Sequence, residues 1–213
     1  MENLEIYHYI IAIGVIIGFI RLHRLDLLLK TLPFFLSLTV FVELATPLRL
    51  IHFHGNNSWF FNIFTTIEFL YYSLIFFKLS KSHFQRKIIA ITAGAFLIFT
   101  SINIFFIQGF RKFHTISYRV GAVMVVVWCC LYFRQLMQSS EYIILIRNPY
   151  FWISTGLLFF YLGFFFYFSA FDYIVYKKIK FSKELFGIIS DTLNILLYSC
   201  FVIALLCPRK KRQ

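Results

Sequence analysis

The stretch FFNIFTTIEFLYYSLIFF, Phe60 to Phe77, is apolar and aromatic almost throughout, yet it carries a carboxylate, Glu68, near its middle. Its length approaches the about 20 residues that a helix needs to cross a bilayer. The rest of the chain has the same character. Of 213 residues, 60% are hydrophobic, 22% aromatic and 14% charged, and the mean hydropathy is +0.77. Soluble domains average about 45–50% apolar and about 25% charged residues. A soluble fold of this size has no interior large enough for so much Phe, Ile and Leu, so the bilayer is the expected solvent.

Seven apolar runs follow one another: Glu5–Ile20, Leu28–Leu48, Ser58–Leu79, Ile88–Gln108, Ile116–Met137, Tyr150–Phe171 and Glu184–Cys207. Lipid forces each spanning backbone to satisfy its own hydrogen bonds, and the runs lack the alternation of barrel strands. The expectation is an all-α polytopic integral membrane protein, a bundle of seven transmembrane helices forming one transmembrane domain over residues 1–213. The acidic start MENLE and the placement of Arg21 and Arg24 after the first run predict a retained helix rather than a cleaved signal. With seven spans, thirteen Lys and Arg fall on the side of the C-terminus and eight on the other. The positive-inside rule then puts the N-terminus outside and the C-terminus in the cytoplasm.

The formal net charge of +12 is spread over loops that flank the membrane, with PRKKRQ as a basic tail. This pattern suits anionic lipid and does not call for nucleic acid. Cys129, Cys130, Cys200 and Cys207 form no metal or disulfide spacing and read as packing residues.

Strong polar groups concentrate in the outer halves of the runs. Ser58, Asn62, Thr65, Glu68 and Tyr72 are spaced by three or four residues in the third run. So are Thr39, Glu43 and Thr46 in the second, and Gly187, Asp191, Asn194 and Tyr198 in the seventh. Such spacing places each set on one helix face. Glu43, Asn62, Glu68, Arg119, Asp191 and Asn194 are therefore the expected lining of a pocket open to the outer side. Three carboxylates against one arginine leave room for a proton, a cation or a cationic ligand. The competing reading makes the same residues hydrogen-bonding glue between helices. His8, His52 and His54 are lesser candidates for a metal, because HxH alone is common; no cofactor is implied. Gly14 with Gly18, and Ala90 with Gly94, form small-residue faces for close helix packing. The run GLLFFYLGFFFYF, Gly156–Phe168, reads as lipid-facing bulk.

A rhodopsin-like pigment needs a lysine in its seventh helix, and none lies between Leu185 and Cys207. The proline–glutamine motifs of sweet-transporter and PQ-loop carriers are missing too, no internal repeat stands out, and no kinase or cyclase module follows the last run. The stretches NNSWFFNIFTTIEF, NPYFWISTGLLFFYLGFFFYFS and SDTLNILLYSCFVIALLC together resemble small uncharacterised multi-span membrane proteins of Bacteroidota. That resemblance implies a bacterial inner (plasma) membrane and carries no activity. The residues themselves favour a ligand-binding or sensory module. Its expected partners are the lipid bilayer, a small-molecule or cation ligand from the outer side and a separate cytoplasmic protein. The alternatives are a membrane-embedded lipid hydrolase and a small proton-coupled transporter.

Overall fold

The computed structural model describes residues 5–45, 58–109, 112–139, 144–176 and 182–207. Thr46, Pro47, His52, His54 and the basic tail lie outside these. Within them the chain forms seven α-helices and no strand: α1 Ile6–Ile20, α2 Thr31–Ala45, α3 Ser58–Leu79, α4 His83–Ile102, α5 Thr115–Met137, α6 Pro149–Tyr176 and α7 Ser182–Leu206. A π-helical turn, Asn103–Ile107, extends α4. Five helices (α3, α4 with its π turn, α5, α6 and α7) are long and apolar enough to cross a membrane, which marks the chain as a helical membrane protein. The described parts of α1 and α2 have 15 residues each, or about 22 Å at about 1.5 Å per residue.

Helix ends depart from the apolar runs where polar residues continue or cap a helix. The α2 helix starts at Thr31, not Leu28, because Asp26 Oδ1 accepts the Leu29 amide at 2.8 Å and holds residues 26–30 in a turn. Pro33 then falls in the first turn of α2, where a missing N–H costs nothing. The α4 helix starts at His83, ahead of Ile88, since its polar first turn continues the same backbone ladder beyond the apolar run. The α6 helix continues past Phe171 to Tyr176.

Helix α1 packs on α2 and α7, α7 on α6, α6 on α5, and α5 on α3 and α4. Aromatic rings close the circle between α2 and α3, with Phe35 stacked on Tyr71 at 4.1 Å. Where backbones approach closely, a glycine faces the neighbour. A Cβ on Gly18 would meet Pro33 at 2.4 Å, one on Gly163 would meet Leu193 at 2.7 Å, and one on Gly121 would meet the Phe69 ring at 2.5 Å. The expected Ala90–Gly94 face has no such role, since nothing lies within 4 Å of a Cβ built on Gly94.

The phenylalanine-rich run of α6 corrects the lipid-facing expectation. Phe159 and Phe166 are 52% and 63% exposed, but Leu157, Phe160, Tyr161 and Phe164 are buried in the core. The run is apolar on every side, so composition alone does not reveal which face the bundle takes.

At the end where α1 finishes, polar side chains stitch the helices together. Arg21 Nη1 donates to the Leu205 carbonyl at 3.0 Å. The Tyr150 hydroxyl donates to Asp26 Oδ1 at 2.6 Å, and Gln135 Nε2 donates to the Leu79 carbonyl at 3.1 Å.

Gly121→Ala is expected to lower the melting temperature in mild detergent, by the equivalent of about 1–3 kcal/mol of overpacking. Gly94→Ala meets open space and removes a helix-interior glycine, so it should leave stability unchanged or raise it by up to about 1 kcal/mol. Equal melting of the two variants would contradict the packing described above.

Candidate functional site

Three helices supply carboxylates to one region of the bundle. Asp191 lies in α7, Glu43 in α2 and Glu68 in α3, each of them partly exposed. The Glu68 carboxylate accepts a hydrogen bond at 3.2 Å from the hydroxyl of Tyr72, which is one turn along the same helix face. Glu43 accepts one from the Tyr7 hydroxyl of α1 at 3.4 Å. Glu43 and Glu68 lie within electrostatic reach of one another.

Tyrosines from four further helices enclose the pair. The Tyr161 hydroxyl of α6 is buried beside Glu68, within its electrostatic reach though without a well-formed hydrogen bond. Tyr118 of α5 lies within reach of Glu68, and Tyr198 of α7 within reach of both glutamates. The Tyr72 and Tyr161 rings are 6.0 Å apart, those of Tyr118 and Tyr161 6.1 Å, and those of Tyr7 and Tyr198 6.2 Å. Gly156 and Gly163 hold α6 close against α7, and Tyr161, 0% exposed, reaches the centre.

The six expected pocket residues separate into two groups. Glu43, Glu68 and Asp191 gather around these tyrosines, with Tyr7 within reach of both Glu43 and Asp191. Asn194 is buried one turn beyond Asp191, and its amide bonds Ser190 of its own helix at 3.4 Å. Asn62 and Arg119 serve other joints. Asn62 Nδ2 donates to the Lys112 carbonyl at 2.9 Å, and its Oδ1 accepts the His114 amide at 3.0 Å. The guanidinium of Arg119 donates to the Phe168 carbonyl of α6. Asn62 and Glu68 part company because each step of three residues turns a helix back by about 60°, so two steps separate them by about 120°.

His8 stacks on Tyr7 with ring centroids 4.1 Å apart and lies within reach of Asp191. Among the described residues, no three His, Cys, Asp or Glu side chains converge as a metal site requires. The four cysteines are free thiols, and Cys130 alone of them is exposed.

Sequence reasoning missed Tyr7, Tyr118 and Tyr161. A usable signal exists: a tyrosine inside an apolar run brings a hydroxyl that needs a partner when buried. It does not single out these three among 13 tyrosines.

Asn62→Leu is expected to leave the Lys112 carbonyl and His114 amide without their side-chain partner, costing about 1–3 kcal/mol. Thermal melting should fall accordingly, with faster proteolysis between α4 and α5, while Glu68 keeps its surroundings. No protein family, curated protein or solved structure matches the chain.

Proposed function

We propose that the chain is a seven-span protein of a bacterial plasma membrane, with the N-terminus outside and the C-terminus cytoplasmic. Its acidic, tyrosine-lined cluster is an outward-facing pocket for a small organic cation, and binding there is passed to a separate cytoplasmic partner. One arrangement carries the reading. Glu43 and Glu68 share the interior of the bundle, and the groups acting on them among the described residues are tyrosine hydroxyls and carboxylate, with no lysine or arginine. Two ionised carboxylates in such surroundings cost several kcal/mol each. A proton or a cationic guest offsets that cost.

The tyrosines favour an ammonium group as guest. Aromatic faces attract cations by about 0.5–2 kcal/mol each, and quaternary ammonium ligands are held in cages of this kind. Glu68 keeps partial solvent accessibility. Asp191 stands in the first half of α7, Glu43 near the last described residue of α2 and Glu68 in the middle of α3, which supports access from the end of the bundle where α1 begins. Beyond Glu68, towards the other end, the core is Ile75, Phe76, Trp128, Leu157 and Leu205. That apolar floor favours binding and signalling over passage through the membrane. The positive-inside count supports the orientation, and Arg21 and Arg24 at the end of α1 suit a short span whose flanking cations reach the interface.

The test titrates purified protein in mild detergent with primary and quaternary ammonium compounds, Na+ and K+, following the melting temperature. An organic ammonium is expected to stabilise the wild type by several degrees. Glu43→Gln and Glu68→Gln should weaken that ligand at least about tenfold, or about 1.4 kcal/mol. Without ligand, both should melt at or above wild type, as residues held for function at the expense of stability do. The reading fails if no cation shifts the wild type and Glu68→Gln and Asp191→Asn both melt several degrees lower. The carboxylates would then be structural links between helices.

A further inference from the structure

A small cavity lies between α3, α4 and α5, with Tyr118 as one of its walls. Thr66, Phe69, Phe96, Thr100, His114 and Ser117 are among its walls, and its free space matches about one water molecule. His114 and Thr100 are each only 4% exposed. The chain reaches this cavity by a specific route. The π turn at Asn103–Ile107 ends α4, Gly109 takes φ of 73°, and the backbone returns to start α5 at Thr115. Asn103 Nδ2 braces the return by donating to Gln108 Oε1 at 2.9 Å and Ser117 Oγ at 2.7 Å.

The hydrogen-bond inventory of the walls is incomplete in a defined way. His114 Nε2 lies 3.0 Å from the Gly109 carbonyl. A carbonyl only accepts, so Nε2 carries a proton, and in the neutral ring Nδ1 is then a bare acceptor. Among the described residues, neither His114 Nδ1 nor Thr100 Oγ1 has a partner. Elsewhere in the bundle, threonine hydroxyls donate to the carbonyl four residues back, as Thr65, Thr66 and Thr92 do. Thr100 makes no such bond and keeps its hydroxyl proton available. Ser117 Oγ accepts from Asn103 and also retains a proton to donate. The walls therefore offer one acceptor and two hydroxyl donors around a space of molecular size.

We propose that this cavity is a binding site for a single internal water. The water donates to His114 Nδ1 and accepts from the hydroxyls of Thr100 and Ser117, joining the α4–α5 connection to α4 and α5 and holding His114 in its Nε2–H form. An ammonium ion of similar size fits less well, because it has no lone pair to receive the hydroxyl protons. Internal waters with two to four protein partners behave as part of the fold.

Nuclear magnetic resonance on the full chain, with 15N-labelled histidine, tests the assignment. The His114 signals are identified as those lost in His114→Asn. The expected wild-type result is a protonated Nε2, an Nδ1 shifted as a hydrogen-bonded acceptor, and cross-relaxation between the ring protons and a slowly exchanging water. Thr100→Val keeps the side-chain shape and removes one donor; the water contact should weaken or vanish and Nδ1 should move towards its unbonded position. Three results overturn the proposal: an Nδ1–H tautomer, no water contact in the wild type, or a contact that appears only when ammonium salt is added. The wild-type spectrum decides by itself if Thr100→Val does not fold.

Discussion

A carboxyl inside a membrane helix needs partners, and Glu68 draws them from around the bundle. Tyr72 comes from its own helix, Tyr161 from α6, Tyr118 from α5 and Tyr198 from α7, while Glu43 of α2 lies within reach with Tyr7 of α1 bonded to it. Every helix except α4 therefore places a polar group towards this region. In lipid the backbone hydrogen bonds are consumed within each helix, so side-chain contacts of this kind decide how helices are oriented about their axes.

Close backbone approach makes the gathering geometrically available. Gly14 and Gly18 seat α1 against α7 and α2, Gly156 and Gly163 seat α6 against α7, and Gly121 admits the Phe69 ring. The aromatic side chains fill the space between, edge-on or stacked, as ring quadrupoles prefer. The same architecture leaves α4 on the outside, with Ile91, Ile98, Phe105 and Phe106 more than half exposed. Its charged residues, Arg86 and Lys87, are correspondingly confined to its first turns.

The two polar regions differ in chemistry. Around Glu43 and Glu68, two carboxyls are gathered among tyrosines. Around His114 the groups are mixed in donor and acceptor character. Asn62 stands between these functions on α3. It serves the connection before α5, whereas Glu68, two steps of three further along, faces the tyrosines.

Much of the helical layout was legible in the sequence because hydrophobic length alone decides it. The run Ser58–Leu79 coincides with α3, and the other runs lie on helices whose ends shift where polar residues extend or cap them. Helical spacing also picked out Glu43, Glu68 and Asp191, since a charge amid apolar residues is conspicuous by itself. Spacing names a face and not the neighbour that the face meets. It grouped Asn62 and Arg119 with the acids without showing that Asn62 bonds the Lys112 carbonyl and that Arg119 donates to the Phe168 carbonyl, and it passed over Tyr7, Tyr118 and Tyr161, which look like ordinary aromatic residues in ordinary runs. Only the tertiary structure decided which rings turn inward, because an all-apolar helix has no amphipathic signal to orient it, and close packing against particular neighbours does so instead.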